Sequence, residues 1–331
     1  MNKGVWVIFI VIVVAAVALI AFRKEQSETA APTTQGAAQL TLAVIPKGTT
    51  HAYWKSVEAG AEQAGTELGV KIIYKGPMLE DDRAGQISLV EQFASGNVNG
   101  IVLAPLDDTA LLPPVQTAMQ KNIPVVIIDS SLKGDAGKDF VCYVGTNNTA
   151  AGKLGGEELA KLLGRKGKYV LLRYAVGSAS TIQREDGFLS AMDENPGMTA
   201  LVKDRYAGAT VDQAQTVSMN LLSEIKQADG IFCPNESTTL GMLNTLEQNN
   251  LAGKIHFVGF DATPELVDAL KKGEIDALVS QDPTKMGYEG VKACVDSIHG
   301  IAQQPVTDSG VQLITRDNLD TPEVQKLLSG S

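Results

Sequence analysis

Single polar or aromatic residues follow the short apolar runs of this chain, at the places where β-strands would end. For example, the run at 126–128 leads directly into Asp129, and the run at 258–260 leads into Asp261. In open parallel α/β sheets the ligand crevice lies outside the carboxyl ends of the strands, so we expect such residues to converge. The full set is His51, Tyr53, Trp54, Asp129, Asn235, Asp261 and Gln281. These side chains predict a pocket for a polar ligand.

The carboxylates and amides of this set suit a ligand that carries hydroxyl groups. A carboxylate such as Asp129 or Asp261 accepts two hydroxyl hydrogen bonds, and charge-assisted bonds are roughly twice as strong as neutral ones. The side-chain amides of Asn235 and Gln281 both donate and accept. Helix capping is the competing interpretation, above all for Asp261, which immediately precedes Ala262-Thr263-Pro264.

The aromatic pair Tyr53 and Trp54 suits the apolar face of a sugar ring, because an aromatic ring can cover that face and leave the hydroxyls free. Alternatively, the pair anchors the first helix in the core. His51, in the same loop, is either a ligand group or a surface or capping residue, and Lys47 is a weaker candidate. Glu236 either reaches the pocket or stabilises the first turn of a helix.

From residue 41 onwards, β-branched runs alternate with amphipathic stretches. Repeated βα units predict mostly parallel sheets that are covered by helices on both faces, and we expect two such sheets. The expected strands are 41–46, 70–74, 100–104, 124–128, 140–144, 168–172, 199–204, 230–233, 255–259 and 276–280. The expected helices include 52–68, 81–95 and 109–121.

The N-terminal part differs from the rest of the chain. Val5 to Phe22 form an apolar run of about 18 residues, with Lys3 before it and Arg23-Lys24 after it. Residues 1–24 are therefore either a cleaved signal peptide or a retained membrane anchor, and in both cases the chain is exported. Residues 25–40 have the composition of a disordered tether.

Composition argues against several classes of protein. A formal net charge of −10 is unsuited to nucleic acid, whose phosphates require clustered Lys and Arg. A regulator that binds DNA would also need a helix-turn-helix where the apolar run stands. The sequence has no serine elbow, phosphate loop or metal-ligand cluster, so we expect a protein without catalytic activity, metal or cofactor. The distant cysteines Cys142, Cys233 and Cys294 predict buried thiols rather than a disulfide framework.

The order of further motifs resembles the periplasmic sugar-binding proteins of the ribose-binding type, which serve ATP-driven importers. The resemblance spans about residues 41–315. The motifs are Tyr53-Trp54, Ala59-Gly60-Ala61, Ala104-Pro105-Leu106-Asp107, residues 123–129, Arg184-Glu185-Asp186-Gly187-Phe188, Asn235-Glu236, Leu240-Gly241, residues 258–264, Gln281-Asp282-Pro283 and Met286-Gly287.

This resemblance implies an α/β fold of two similar doubly wound parallel-sheet lobes, with a ligand cleft between them and a hinge of three chain crossings. The first lobe would hold 41–145 and 282–310. The second would hold 146–281 and 311–331. The crossings would fall near Gly145, Gln281 and Gly310, and the lobes would close on the ligand by a hinge motion.

The sequence departs from the ribose-binding type before Arg184. Relatives carry an additional pocket arginine two positions earlier, where this chain has Ile182, so its ligand is expected to differ from ribose in hydroxyl pattern. Arg184 itself either contacts the ligand or braces the helix. The residues that could compensate for the missing arginine are Arg173, Tyr174, Ser180 and Thr181, and Tyr206 is a candidate second-lobe aromatic.

The function that the resemblance implies is capture of a monosaccharide, polyol or sugar acid for the permease of an ABC importer. We expect a monomer in the periplasm or on the outer face of the cytoplasmic membrane, which touches the membrane only through its N-terminal segment. The alternative is a membrane-tethered sensor that reports its ligand to a receptor or kinase. The retained-anchor interpretation favours the sensor, and the lack of a cytoplasmic output domain in this sequence argues against it.

Overall fold

A computed structural model describes residues 39–329 of the chain. The apolar segment expected at 5–22 and most of the expected tether lie outside these residues. The described strands are β1 (Thr41–Ile45), β2 (Lys71–Tyr74), β3 (Gly100–Leu103), β4 (Val125–Ile128), β5 (Tyr143–Gly145), β6 (Lys166–Arg173), β7 (Gly197–Tyr206), β8 (Gly230–Phe232), β9 (His256–Phe260), β10 (Ala277–Gln281), β11 (Val306–Asp308) and β12 (Val311–Thr315).

Helices separate most of these strands, as the repeated βα pattern predicts. The described helices are α1 (Ala52–Leu68), α2 (Arg83–Ser95), α3 (Leu112–Gln120), α4 (Asn148–Leu162), α5 (Ala179–Asp193), α6 (Val211–Asn220), α7 (Leu222–Ile225), α8 (Glu236–Gln248), α9 (Pro264–Lys272), α10 (Pro283–Ile298) and α11 (Pro322–Ser329).

The strands form two sheets of six, in the orders β11-β5-β4-β3-β1-β2 and β12-β10-β9-β8-β6-β7. Every neighbouring pair is parallel except β10 and β12, which run antiparallel. The prediction of two mostly parallel α/β lobes is confirmed. The chain passes from one sheet to the other after β5, after β10 and between β11 and β12.

The structure differs from the expected element pattern in several details, among them the start of β5, which lies at Tyr143 and not at residue 140. The short edge strand β11 was not predicted, because three residues carry no measurable alternation of polar and apolar side chains. The helix expected from 109 begins only at Leu112, with prolines in its first turn. Asp107 accepts hydrogen bonds from the backbone N–H groups of Thr109 and Ala110, at 2.9 and 2.7 Å, and so holds these residues in a turn that precedes the helix.

Paired glycines bring two helices of each lobe into close contact. In the second lobe, a Cβ on Gly152 of α4 or on Gly187 of α5 would overlap the backbone of the other helix. In the first lobe, Gly60 of α1 and Gly287 of α10 stand in the same relation. The contact in the second lobe fixes the start of α5, which carries Arg184, and the contact in the first lobe fixes α1, which carries Tyr53 and Trp54.

We expect Gly187→Ala to destabilise the protein by about 1–3 kcal/mol, because an added methyl group in a close-packed contact forces the backbones apart. Urea unfolding monitored by circular dichroism measures this loss. Ser190→Ala lies on an exposed face of the same helix and serves as the control, with an expected change within about 0.5 kcal/mol. Equal stability of the two variants would show that the helices can separate without cost.

Candidate functional site

The carboxyl ends of both sheets face each other across a small cavity. The structure brings the principal sequence candidates together around it. Those that line it are His51, Tyr53, Trp54, Asp129, Arg184, Asn235, Asp261 and Gln281, together with Lys47 and Glu236.

Asp129, at the end of β4, is the centre of a buried cluster in the first lobe. Its Oδ1 accepts a hydrogen bond from the Tyr53 hydroxyl at 2.9 Å, and its Oδ2 lies 2.7 Å from Lys47 Nζ. The second contact is an ion pair whose atoms are not aligned as a regular hydrogen bond. Lys47 Nζ also donates to Ser180 Oγ of the second lobe at 3.0 Å. The two carboxylate oxygens of Asp129 thus each lie next to a group that the protein holds in place, the Tyr53 hydroxyl and the Lys47 ammonium.

Asp261 holds the equivalent place at the end of β9 in the second lobe. Its Oδ1 accepts from Gln281 Nε2 at 2.9 Å, and its Oδ2 accepts from the backbone N–H of Glu236 at 2.9 Å. Burial raises the pKa of Asp261, while nearby Arg184 and the two hydrogen bonds act against that rise. Asp129 and Asp261 both have a left-handed backbone, with φ of 61° and 68°. The two lobes therefore present their carboxylates through the same strand-end geometry.

Glu80, which lies in the loop after β2, was not among the sequence candidates. Its Oε1 lies 2.7 Å from His51 Nδ1 and 2.6 Å from Trp54 Nε1, and its Oε2 accepts from the Tyr174 hydroxyl of the second lobe at 2.7 Å. Burial opposes the charge on His51, but the charge and hydrogen bond of Glu80 outweigh it and raise the pKa of His51 to about 9. Burial likewise opposes ionisation of Glu80, yet His51 and Lys47 lower its pKa to about 2.

Glu236 joins the two lobes at a helix terminus. His51 occupies the N-cap position of α1, and its side chain makes no capping hydrogen bond. The carboxylate of Glu236, from the second lobe, instead accepts from the backbone N–H groups of Ala52 and Tyr53 at 3.1 and 3.0 Å. Burial raises the pKa of Glu236, and the positive charge of His51 partly offsets this effect. A negative charge at a helix N-terminus is stabilising, so this contact helps to hold the two lobes together.

Arg184 braces the second lobe and also lines the cavity. Its Nε donates to Asn148 Oδ1 at 2.8 Å, one terminal nitrogen donates to the carbonyl of Pro234 at 3.0 Å, and the guanidinium stacks 3.9 Å from the ring centre of Phe260. Its Nη2 is buried without a hydrogen-bond partner among the described residues. The two sequence interpretations of Arg184, brace and ligand contact, are therefore compatible in one side chain.

Arg173 and Tyr206, which the sequence suggested as possible pocket residues, lie away from the cavity, so that prediction was wrong. Arg173 forms an ion pair of 2.7 Å with Glu185 and stacks over the ring of Tyr206. Tyr206 is 43% exposed. Successive side chains of a strand point to opposite faces, which is how Arg173 comes to face α5 and β7. Its neighbour Tyr174 reaches the cavity instead, as do Ser180 and Thr181.

Asn235 shows that capping and pocket lining are not alternatives. Its Oδ1 accepts from the backbone N–H of Thr238, at 3.3 Å, and so caps α8. Its Nδ2 donates to Ser237 Oγ at 3.1 Å, and the side chain still lines the cavity.

Between residues 39 and 329, no group of three or more His, Cys, Asp or Glu side chains could hold a metal ion. Over the same range, no helix has the length and apolar character needed to cross a membrane.

Comparison with known proteins identifies relatives over most of the chain. A family model described as periplasmic binding protein domain matches residues 42–301. The D-allose-binding periplasmic protein of Escherichia coli is 30% identical over 261 residues, which is 77% of this chain and 83% of that protein.

Two solved structures share both the fold and about a third of the sequence. One is a carbohydrate transporter solute-binding protein from Agrobacterium radiobacter in complex with D-arabinose, with a TM-score of 0.84 and 32% identity over 88% of this chain and 99% of that one. The other is an ABC transporter solute-binding protein from Agrobacterium vitis with bound D-fucose, with a TM-score of 0.83 and 33% identity over 87% and 99%.

Proposed function

Because the chain belongs to the family of periplasmic binding protein domains, of the ribose-binding type, we propose that it captures a monosaccharide outside the cytoplasm and delivers it to an ABC importer. The observation that carries this proposal is the cavity between the lobes, whose lining combines carboxylates, amides, hydroxyls and aromatic rings from both sides. Such a lining can bind several hydroxyl groups at once and cover an apolar ring face.

The charges around the cavity favour a neutral sugar over a sugar acid. The cations Lys47 and His51 lie 2.7 Å from Asp129 and Glu80, respectively. Burial raises the pKa of Asp261, and the positive charge of Arg184 acts against that rise. A ligand carboxylate would therefore have to compete with carboxylates of the protein. The related structures with D-arabinose and D-fucose contain neutral aldoses, which supports this choice.

Closure of the lobes on the ligand would use the three chain crossings as a hinge. We propose the boundaries 41–145 with 282–310 for the first lobe and 146–281 with 311–331 for the second. Contacts across the cleft support a closed state: Ser180 N donates to Ser130 Oγ at 3.0 Å, and Gln183 Nε2 donates to Ser131 Oγ at 3.1 Å. Closure excludes water and thereby strengthens each polar contact with the ligand.

A thermal-shift and calorimetric screen tests this function. We expect neutral pentoses and hexoses to stabilise the protein, by about 2.7 kcal/mol when the sugar is at 100 times its Kd. Sugar acids, amino acids and nucleosides serve as the comparison classes. Stabilisation by amino acids or nucleosides alone would contradict the proposal, and so would conversion of a bound sugar into a product. Co-purification with an importer permease tests the delivery step.

A further inference from the structure

The carboxylate of Glu80 contacts three side-chain donors, His51 and Trp54 at the start of α1 and Tyr174 directly after β6. Its side chain is only 6% exposed. Oε1 lies within hydrogen-bond distance of His51 Nδ1 and Trp54 Nε1, and Oε2 accepts from Tyr174, at distances of 2.6 to 2.7 Å. An indole N–H can only donate, so Glu80 supplies the acceptor for this whole cluster. His51 and Trp54 thereby acquire fixed orientations next to the cavity.

The proton positions on His51 follow from this contact. A ring nitrogen 2.7 Å from a carboxylate oxygen carries the hydrogen of that bond, which places a proton on Nδ1. The carboxylates of Glu236 and Asp261 add to the attraction of Glu80, against the cost of burial, and the pKa of His51 reaches about 9. Lys47 and Arg184 are the cations of the same cavity, where Asp129, Tyr53 and Tyr174 also lie. At neutral pH, therefore, Nε2 carries a proton as well.

This second N–H has no partner in the described part of the chain. Within residues 39–329, His51 forms its hydrogen bond through Nδ1 only, and its side chain lines the cavity. The Nε2 atom is not fully enclosed by protein atoms, so it can donate to a ligand oxygen in the cavity. The Nη2 of Arg184, in the same cavity, is a fully buried donor without a partner among the described residues, and a ligand oxygen would remove the cost of leaving it unpaired. The site thus offers directed donors where a sugar would present oxygen atoms.

We propose that Glu80 is a positioning residue that holds His51 as a double donor, with one N–H directed to Glu80 and the other to an oxygen of the ligand. This inference rests on the proposed function and narrows its ligand class. The ligand must present an acceptor oxygen to His51, so an amino sugar that is protonated at that position would be rejected. Tyr174 extends the arrangement across the cleft, because its hydroxyl donates to Glu80 from the second lobe.

The dependence on pH follows from the raised pKa of His51. The stabilisation that its protonated form gives is complete below the ordinary value of 6.5 and is lost as the pH rises through about 9. The charge of Glu80 is retained above its ordinary value of 4.5 and is lost as the pH falls toward about 2. The ion pair between His51 and Glu80 is therefore fully formed between pH 4.5 and pH 6.5, the two ordinary pKa values, and it stays largely formed at neutral pH.

NMR titration of the histidine ring in the ligand-free protein tests the role of Glu80, with His51→Gln used for assignment. We expect His51 in the unmodified protein to remain protonated to about pH 9, and in Glu80→Gln to titrate at least one pH unit lower. Equal titration in both proteins would overturn the proposal. Titration of the unmodified protein near pH 6.5 would also overturn it, even if Glu80→Gln does not fold.

Affinity measured against pH provides the second test. We expect the Kd of the unmodified protein for its best sugar to stay nearly constant from about pH 6 to 8, whereas the Kd of Glu80→Gln should rise about tenfold over this range. Tyr174→Phe removes one hydrogen bond from the same carboxylate without changing its charge, so its loss of affinity should not depend on pH. Equal pH profiles for the two variants would contradict the proposal. If no sugar binds, the proposed function fails, while the NMR titration still decides the role of Glu80.

Discussion

Asp129→Ala is expected to lower the affinity for the sugar at least about 100-fold. A hydrogen bond to a charged group contributes about 1.5–3 kcal/mol, and we propose that this carboxylate accepts two from ligand hydroxyls. The loss of both corresponds to a factor of about 100 or more in Kd. Tyr53, which donates to Asp129 at 2.9 Å, would also lose the bond that fixes its ring beside the ligand. Isothermal titration calorimetry measures this change.

Stability has to be followed together with affinity, because Asp129→Ala leaves Lys47 buried without its partner. Removal of one member of a buried ion pair costs about 3–5 kcal/mol. The double variant Lys47→Met with Asp129→Ala removes both charges, and we expect it to recover stability without recovering affinity. Asp135→Ala, in an exposed ion pair with Lys138, is the matched surface control. Retention of the original affinity by a folded Asp129→Ala protein would rule out Asp129 as a ligand group.

The sheets and most of the cavity could be predicted because their signals are local. A buried parallel strand is a short apolar run, and the residue that follows it lies at the ligand edge of the sheet. This single rule identified Asp129, Asp261 and Gln281 in the sequence. Left-handed backbone at Asp129 and Asp261 was not anticipated, although Asp is among the few residues that adopt it readily.

Glu80 could not be predicted because its role depends on distant segments. It lies six residues beyond the end of β2, in a loop whose Gly76-Pro77 pair indicates a turn. Its partners come from α1 and from the end of β6, so only the folded chain brings them together. Because Glu80 is followed by Asp81 and Asp82, the local sequence is the same as that of a loop whose charged side chains all face solvent.

The error at Tyr206 has a different cause. The pairing of β6 with β7 contains register shifts between Tyr169 and Leu172, so positions along β7 cannot be counted from the sequence. The ring of Tyr206 lies against the Arg173 guanidinium, outside the cavity. Irregular pairing of this kind leaves no clear sequence signal, because the apolar residues keep their spacing while the partner strand shifts.

Glu236→Ala is expected to weaken closure of the lobes and to raise the Kd about 30- to 150-fold. The carboxylate accepts from two backbone N–H groups at the start of α1 in the opposite lobe, and α1 has no cap from its own side chains. Loss of about 2–3 kcal/mol from the closed state alone reduces its population, and the apparent Kd rises in proportion. The closed fraction of the ligand-free protein should fall correspondingly.

Fluorescence transfer between dyes on the two lobes measures this closed fraction, and calorimetry measures the Kd on the same samples. Glu247→Ala, near the other end of α8 and exposed, controls for the loss of a carboxylate from this helix. If Glu236 acted only as a ligand group, Glu236→Ala would lose affinity for the sugar while the distance between the dyes stayed unchanged. A closure contact instead changes both quantities together, because each additional open molecule must close before it binds.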